Sequence, residues 1–576
     1  MSYRKWMKKW QVVIFWAIAI AFLGGVIWWS VGLYVSSRRK TMRISPGVAV
    51  AYLTKEGTAV NDPEVWILPD ELDNRYSWYK YMHMMRYRSQ VDPFFDEPLY
   101  KAIAIRDLMM EKVLLYYAKQ EGLKVDKKKL SEKLDEVRKN IESNKDYLDY
   151  VKKKYRSVDR YITTIKRDVE INLLIQTVRD RVAGVSEDEM REYYGKHSEE
   201  IRKKYSRVDV KMVTTTEEAT INKFMELSKK EGFEQAATDL SLSPFDYSVT
   251  YSFNEDVMKQ LESASPGDIL GPFKHGISWL ALKVKGINKV ESYEDFVASK
   301  GYEDEKRNVE NEKFRKWYED YIKKEGLSFA FNDEELKYWF EYVQDQSDES
   351  KLLSLKKELQ DRLFPGGEFD EGVPDLMKSL YVVLLEWEEN KLREYKTFLA
   401  QEKLGDEDKK KLEGLEKLLG KLNKEEVKKL IDEVTSQEKA VVKNLYSIGT
   451  SSYGVLSRAV RFFPDDPQVV YDYYNYLYSQ MKPMIPYAKQ DMQTMYMLAQ
   501  IQMGFYSVYY SDKASSDIKF DAIYNVYEMS KLLGEATSAS QVLAEMQKQF
   551  PDKLTYDVEW QELEDMMSAS ATPATP

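Results

Sequence analysis

Residues 185–194 read VSEDEMREYY, and residues 208–213 read VDVKMV. Between them the sequence changes period, and that change decides the fold. In the first stretch Ser186 and Glu189 have the spacing of a capping box, so a helix is expected to open there. In the second, apolar and polar residues alternate, as on a strand with one buried face. The text continues with a helix over Glu217–Lys230 and a shorter one over Phe233–Leu240. Strand-like SVTYSF (248–253), a short helix around Val257–Leu261, a turn at Ser265-Pro266-Gly267-Asp268 and a closing strand WLALKV (279–284) follow. These elements make a compact α+β domain over residues 206–290.

On both sides the period is helical. Upstream, VAVAYL (48–53), a turn at Lys55-Glu56-Gly57 and VWIL (65–68) read as a small hairpin. Leu108, Val113, Leu114, Leu115 and Ala118 then share one face, ended by Gly122. Asp126 caps a helix carrying Leu130, Leu134, Val137 and Ile141, and another helix runs from Ser157 to Val182. Downstream, Phe296–Glu325 reads as one long amphipathic helix, Asn332 as the cap of the next, and Leu336, Trp339, Phe340 and Val343 as its apolar face. Leu412, Leu415, Leu419 and Leu422 share a face, and Asn423 with Glu426 makes a second capping box. Phe463-Pro464-Asp465 and Phe550-Pro551-Asp552 close two similar helices, a habit of tetratricopeptide-like arrays, although no 34-residue period runs through them. An irregular helical domain fits this half equally well. The tail SASATPATP is of low complexity and is expected to be disordered.

Composition excludes much chemistry. The 576 residues include no Cys, which removes disulfides, thiol nucleophiles and Cys-ligated zinc. The three histidines, His83, His197 and His275, are too few and too scattered for a histidine metal centre, and no Gly-rich phosphate loop occurs. No cofactor is therefore expected. Lys and Arg total 86 against 96 Asp and Glu, a net charge of −10. Residues 1–43 hold eight basic and no acidic side chains, which leaves 78 basic and 96 acidic residues, a net of −18, for the rest. So acidic a body has no reason to bind nucleic acid.

From Trp10 to Ser37 no residue is charged. About 20 apolar residues cross a bilayer as a helix, and Trp10, Trp28 and Trp29 sit toward the ends of the run, where indoles favour the interface. Basic residues follow the run where a cleaved signal peptide would carry small ones, so an uncleaved anchor is expected. Four basic residues flank each side, which leaves orientation open by charge alone.

The order of anchor, hairpin, helical block with MMEKVLLYYAKQEGLKVDKKKL (109–130), VSEDEMREYY and α+β unit resembles the SurA/PpiD/PrsA group of extracytoplasmic chaperones. The α+β unit itself resembles a parvulin peptidyl-prolyl isomerase, best in TEEATINKFMELSKKEGFEQAATDLSLSP and PGDILGPFKHGISWLALKV. The resemblance covers roughly Val48–Glu325 and implies a mainly α protein. Its parts are a cytoplasmic tip and transmembrane anchor (1–43), a SurA-N-like helical chaperone domain (44–205), a parvulin-like domain (206–290) and a helix returning to the chaperone domain (291–330). A helical, tetratricopeptide-like domain (331–570) and a disordered tail (571–576) complete the division. The two histidines of active parvulins fall on Met212 and Leu280, so no catalytic residue is expected and the domain is read as inactive. Phe253, Met258 and Leu261, with Met212 and Leu280, stand where the family keeps its proline-holding pocket.

The function this implies is that of a membrane-anchored holdase on the extracytoplasmic face of the cytoplasmic (inner) membrane. It would bind unfolded or newly secreted polypeptides, with the secretion channel as a further partner. The surplus of aromatic and Met residues at Tyr76, Trp78, Tyr79, Met82, Met85 and Tyr87 marks the client-binding candidates, since such surfaces repack around many sequences. An ordinary helix core is the competing reading of that cluster. The rival functions are active prolyl isomerisation, and a tethered scaffold whose C-terminal half docks one folded partner.

Overall fold

The computed structural model describes residues 46–571 apart from Arg88 and Glu402. The anchor expected over Trp10–Val35 and most of the expected disordered tail lie outside the described residues. Among the described residues no helix is long and apolar enough to cross a membrane.

The chain opens with strands β1 (Ala51–Lys55), β2 (Thr58–Ala59) and β3 (Trp66–Ile67), then helices α1 (Pro69–Tyr87), α2 (Asp96–Gln120), α3 (Lys127–Ser143), α4 (Lys145–Tyr155), α5 (Val158–Ala183) and α6 (Glu187–Tyr205). The α+β segment follows as β4 (Arg207–Thr215), α7 (Glu218–Glu231), α8 (Phe233–Asp239), β5 (Phe245–Thr250), α9 (Glu255–Glu262), β6 (Ile269–His275) and β7 (Ser278–Asn288). Next come α10 (Tyr293–Ala298), α11 (Gly301–Glu325) and β8 (Leu327–Phe331). The rest is helical: α12 (Glu334–Asp345), α13 (Glu349–Leu363), α14 (Asp375–Ala400), α15 (Asp406–Leu419), α16 (Lys424–Ile448), α17 (Tyr453–Phe462), α18 (Pro467–Met481), α19 (Met492–Tyr509), α20 (Ser516–Leu532), α21 (Ala536–Gln549) and α22 (Tyr556–Ala571).

These elements form two compact units, one of residues up to Val113 and again from Ser328, the other of Leu114–Leu327. The span 44–205 therefore contributes to both units. In the first, β8 pairs with β1 and completes a four-stranded sheet whose apolar face, Ala51 and Ile67, packs on Leu72 of α1 and Ile105, Leu108 and Met109 of α2. The strand displaces an expected cap. Asn332 donates its side-chain amide to the carbonyls of Pro46 (2.7 Å) and Ala49 (2.8 Å) at the end of that sheet, and Asp333 caps α12 instead, accepting from Leu336 N–H. The long segment from Phe296 breaks as well. Ser292 and Asp295 form a capping box that opens α10, and extended Ser299 separates it from α11. The Ser292/Asp295 box was not expected; the two that were, Ser186/Glu189 and Asn423/Glu426, are present.

Residues 92–95 are tied to the helical half by charge and packing. One oxygen of Asp92 accepts from the Phe94 and Phe95 amides, the other from Ser452 Oγ (2.6 Å) and Gly454 N–H (2.8 Å) at the start of α17. A side chain on Gly454 would meet the Phe95 ring at 2.4 Å, so only glycine fits. The Arg458 guanidinium lies 4.0 Å from the Phe95 centroid and grips Glu386 of α14 with two hydrogen bonds. Asp92→Ala would strip four donors of their shared acceptor at once, a loss expected to cost about 3 kcal/mol. A thermal melt checks this, and a change no larger than that of a typical surface substitution would contradict the tie.

Candidate functional site

The two regions the sequence singles out are the outer face of α1 and the parvulin-like sheet. Helix α1 begins at Pro69, where a missing amide N–H costs nothing, and Glu71 accepts from Leu68 N–H. Its inner face is Leu72, Tyr76, Tyr79 and His83. Tyr76 is buried, and Tyr79 is half-buried. Tyr79 donates to Asp107 and its ring runs parallel to Tyr100 at 6.2 Å; burial, then Asp107, pushes its hydroxyl up to about 12. His83 is within hydrogen-bond reach of Tyr100 Oη (2.9 Å) and Ser89 Oγ (3.1 Å), the environment of a satisfied core histidine. Salt bridges Arg75–Glu111 (2.6 Å) and Lys112–Glu71 (2.7 Å) fix the helix on α2.

The opposite face is open. Trp78 is 57% exposed, Met82 46% and Met85 64%, with Tyr81 also exposed. These four sit at i, i+3, i+4 and i+7, which places them on one helical stripe. Met84 is exposed on the flank of that stripe, whereas Tyr87, also exposed, lies on the His83 side near the end of the helix, its ring centroid 4.9 Å from that of His83. The six client-binding candidates therefore divide: Tyr76 belongs to the core, Tyr79 to its edge, and Trp78, Met82, Met85 and Tyr87 to the surface. Trp78, Tyr81, Met82 and Met85 thus form one continuous exposed stripe rather than scattered surface hydrophobics.

The second region is a four-stranded antiparallel sheet of order β5-β4-β7-β6. Strand β6 adds a fourth strand to the three expected, and His275 is its last residue, paired with Ser278. Alternation sorts the side chains. Val213 and Ala281 face Ile221 and Phe224 of α7 and Phe233 and Ala236 of α8. Val208, Val210, Met212, Leu280, Leu282 and Val284 face Val257, Met258 and Leu261 of α9. The structure thus brings together four of the five pocket candidates in one cluster, with Phe253 packed against it. Met258 and Leu261 are fully buried, and Met212 and Leu280 are each 3% exposed, so all four fill core.

Phe253 lies at the rim. Its ring stacks on His275 at 4.3 Å and 13°, and Tyr247 of the edge strand β5 stands 5.7 Å away. Sequence reasoning passed over Tyr247; the alternation of Phe245 and Tyr247, both exposed, was the signal. His197, the remaining histidine, sits at a kink inside α6, 3.1 Å from Glu200. Chemically, Met212 and Leu280 offer no proton donor, and turning a prolyl bond over its barrier of roughly 20 kcal/mol calls for a polarised pocket.

The helices flanking this sheet are held by a buried carboxylate. Glu305 of α11 accepts from Lys204 (2.7 Å), Tyr205 (2.6 Å) and Tyr193 (2.9 Å) of α6. Burial raises its pKa, but Lys204 and the two hydroxyls more than offset this and hold it at about 2. A carboxyl depressed in the fold stabilises above its unfolded pKa, and that contribution is lost as pH falls toward the folded value. Acid unfolding of α6 and α11, followed by hydrogen exchange, is therefore expected to set in between about pH 4.5 and 2, and Glu305→Gln to flatten that dependence. An unchanged pH profile in the variant would contradict the role given to Glu305.

Residues 185–298 match the family model Rotamase_2, a PPIC-type PPIASE domain, so the chain holds a parvulin-type domain bounded by α6 and α10. No curated protein matches the chain. Among solved structures it is similar to one of two related SurA-like chaperones of Campylobacter jejuni, the virulence factor PEB4 and a periplasmic protein, at 14% identity over 49% of this chain and 98% of that chain, with a TM-score of 0.20. It is also similar to the foldase protein PrsA of Lactococcus lactis, at 12% identity over 51% and 98%, with a TM-score of 0.22.

Proposed function

We propose that this protein is a membrane-anchored extracytoplasmic holdase that binds unfolded or newly secreted polypeptides, and that its parvulin-type domain is inactive as an isomerase. The observation that carries the reading is the exposed stripe of Trp78, Tyr81, Met82 and Met85 on α1. Flexible thioethers and amphipathic rings make many shallow contacts with unrelated sequences, which is what a general client site needs. The relatives described as SurA-like chaperones and a foldase accord with such a role. Inactivity is argued from Met212 and Leu280, which fill the space where imidazoles would act. The apolar run Trp10–Val35 is assigned as a single span of the inner membrane, with the body outside the cytoplasm beside the secretion channel.

A photoreactive residue placed at Met85, and separately at Met258, tests this in intact cells. A heterogeneous set of secreted polypeptides is expected at Met85 and none at Met258. One folded partner captured at Met85 would favour the scaffold reading instead. The isomerase reading keeps one specific observation in its favour, the His275 imidazole stacked on Phe253 at the rim of the sheet.

A further inference from the structure

Helix α19 reads MQTMYMLAQIQMGFYSVY, and from Met492 to Ser511 no residue is charged, the longest such stretch among the described residues. Its inner face is core: Leu498, Ile501, Phe505 and Val508 are buried against α20 and its neighbours. A helix covered on one side only is expected to turn charge to water on the other. This one does not. Met492 is 89% exposed and Tyr510, just past its end, 72%; Tyr496 and Met503 are exposed too, Ala499 lies bare between them, and Tyr506 is partly covered. The six positions follow one another at steps of four, three, four, three and four residues, the apolar repeat of a helix–helix seam.

We infer that this stripe is a self-association seam, in which α19 of a second copy packs antiparallel about a twofold axis passing beside Ile501. The sequence is complementary to itself under that operation. Met492 meets Tyr510 of the second copy, Tyr496 meets Tyr506, and small Ala499 meets large Met503, so each layer joins the two kinds of seam position. Gln500 flanks the seam on one side and Gln502 on the other, and the twofold brings each to the same residue of the second copy, with side chains that both donate and accept. Tyr506 and Tyr510 already stack at 6.1 Å, which presents one continuous aromatic surface to the partner.

Charge selects the occupant. The body of the chain carries a net −18, so two copies repel wherever their ordinary surfaces meet, and an uncharged strip is where they approach without that cost. An anionic lipid surface would ask for basic residues along the polar margin; here the margin is Gln and Ser, and Lys489 and Lys513 at the two ends are neighboured by Asp491 and Asp512. The seam lies on α19, away in sequence from the client stripe on α1, and stands or falls independently of the holdase reading.

The chain has no cysteine, so pairs can be installed without background. In the full-length protein in detergent, Ala499→Cys with Met503→Cys is expected to give a disulfide-linked dimer, whereas Met492→Cys alone, at opposite ends of an antiparallel pair, should give none. Light scattering should show two copies per particle for the unmodified chain and one for Tyr496→Glu with Met503→Glu, with the circular dichroism spectrum of the folded chain unchanged because both side chains are exposed within one copy. A monomeric unmodified chain would overturn the inference. So would a dimer that survives the double Glu variant, since its contact would lie elsewhere, and so would efficient cross-linking through Met492→Cys alone, which requires parallel helices.

Discussion

Replacing Trp78, Met82 and Met85 together by Ser should cut suppression of client aggregation by about tenfold or more, which is about 1.4 kcal/mol of binding, while leaving the melting temperature nearly unchanged. The stripe is open to solvent, so its side chains contribute little to folding, and exposed substitutions usually stay within about 0.5 kcal/mol each. The neighbouring change Tyr79→Ser should behave in the opposite way. It removes a half-buried ring and the hydrogen bond to Asp107, so stability is expected to fall by about 2–4 kcal/mol. A melt beside an aggregation assay separates the two faces of α1. If the triple variant unfolds, or if it suppresses aggregation as well as the unmodified chain, the client stripe is misassigned.

A second large effect is expected at the sheet of the parvulin-type domain. Met212→His combined with Leu280→His puts back the residue types found in active parvulins, but it puts them into core. Both positions are 3% exposed and packed against Met258 and Leu261. Each change removes buried apolar contact and introduces an imidazole with no polar partner in that cluster, at a cost of about 2–5 kcal/mol apiece. Hydrogen exchange in peptides covering β4 and β7 should therefore rise steeply, with no gain of isomerase activity. A folded double variant that accelerates prolyl isomerisation would show that the pocket is intact apart from two side chains.

Much of this architecture was legible in the sequence, because the signals were local. The capping boxes at Ser186/Glu189 and Asn423/Glu426 need only four consecutive residues, and alternation in VDVKMV needs only six. The Phe-Pro turns are equally local. Phe463 and Phe550 end their helices with nearly the same backbone angles, φ −129 and ψ 53 against φ −135 and ψ 55. Phe364, before Pro365, ends α13 at φ −129 and ψ 55 and is a third case. Proline excludes the residue before it from the helical region, and the pattern follows from that alone.

What was not legible depends on partners far away in the chain. Strand β8 has only five residues and exists because β1, more than 270 residues earlier, offers it an edge; that is why Asn332 bonds to Pro46 and Ala49 instead of capping a helix. The tie of Asp92 to Ser452 and Gly454 spans 360 residues and leaves no periodic trace. The aromatic cluster on α1 was ambiguous for a different reason. Apolar residues surround that helix, so spacing marks no preferred face, and only the position of α2 decides that Tyr76 and His83 point inward while Trp78 and Met85 point out.

Holding without isomerising is the heart of the proposed function, and a single refolding experiment addresses both halves. The substrate is an aggregation-prone protein whose slow phase is prolyl isomerisation, which takes tens to hundreds of seconds uncatalysed. The full-length chain is added first at trace and then at equimolar amounts. The refolded yield should rise only as the chain approaches equimolar amounts, with the slow rate constant unchanged throughout. Acceleration of the slow phase at trace amounts would contradict the account, because one protein molecule would then be turning over many prolyl bonds.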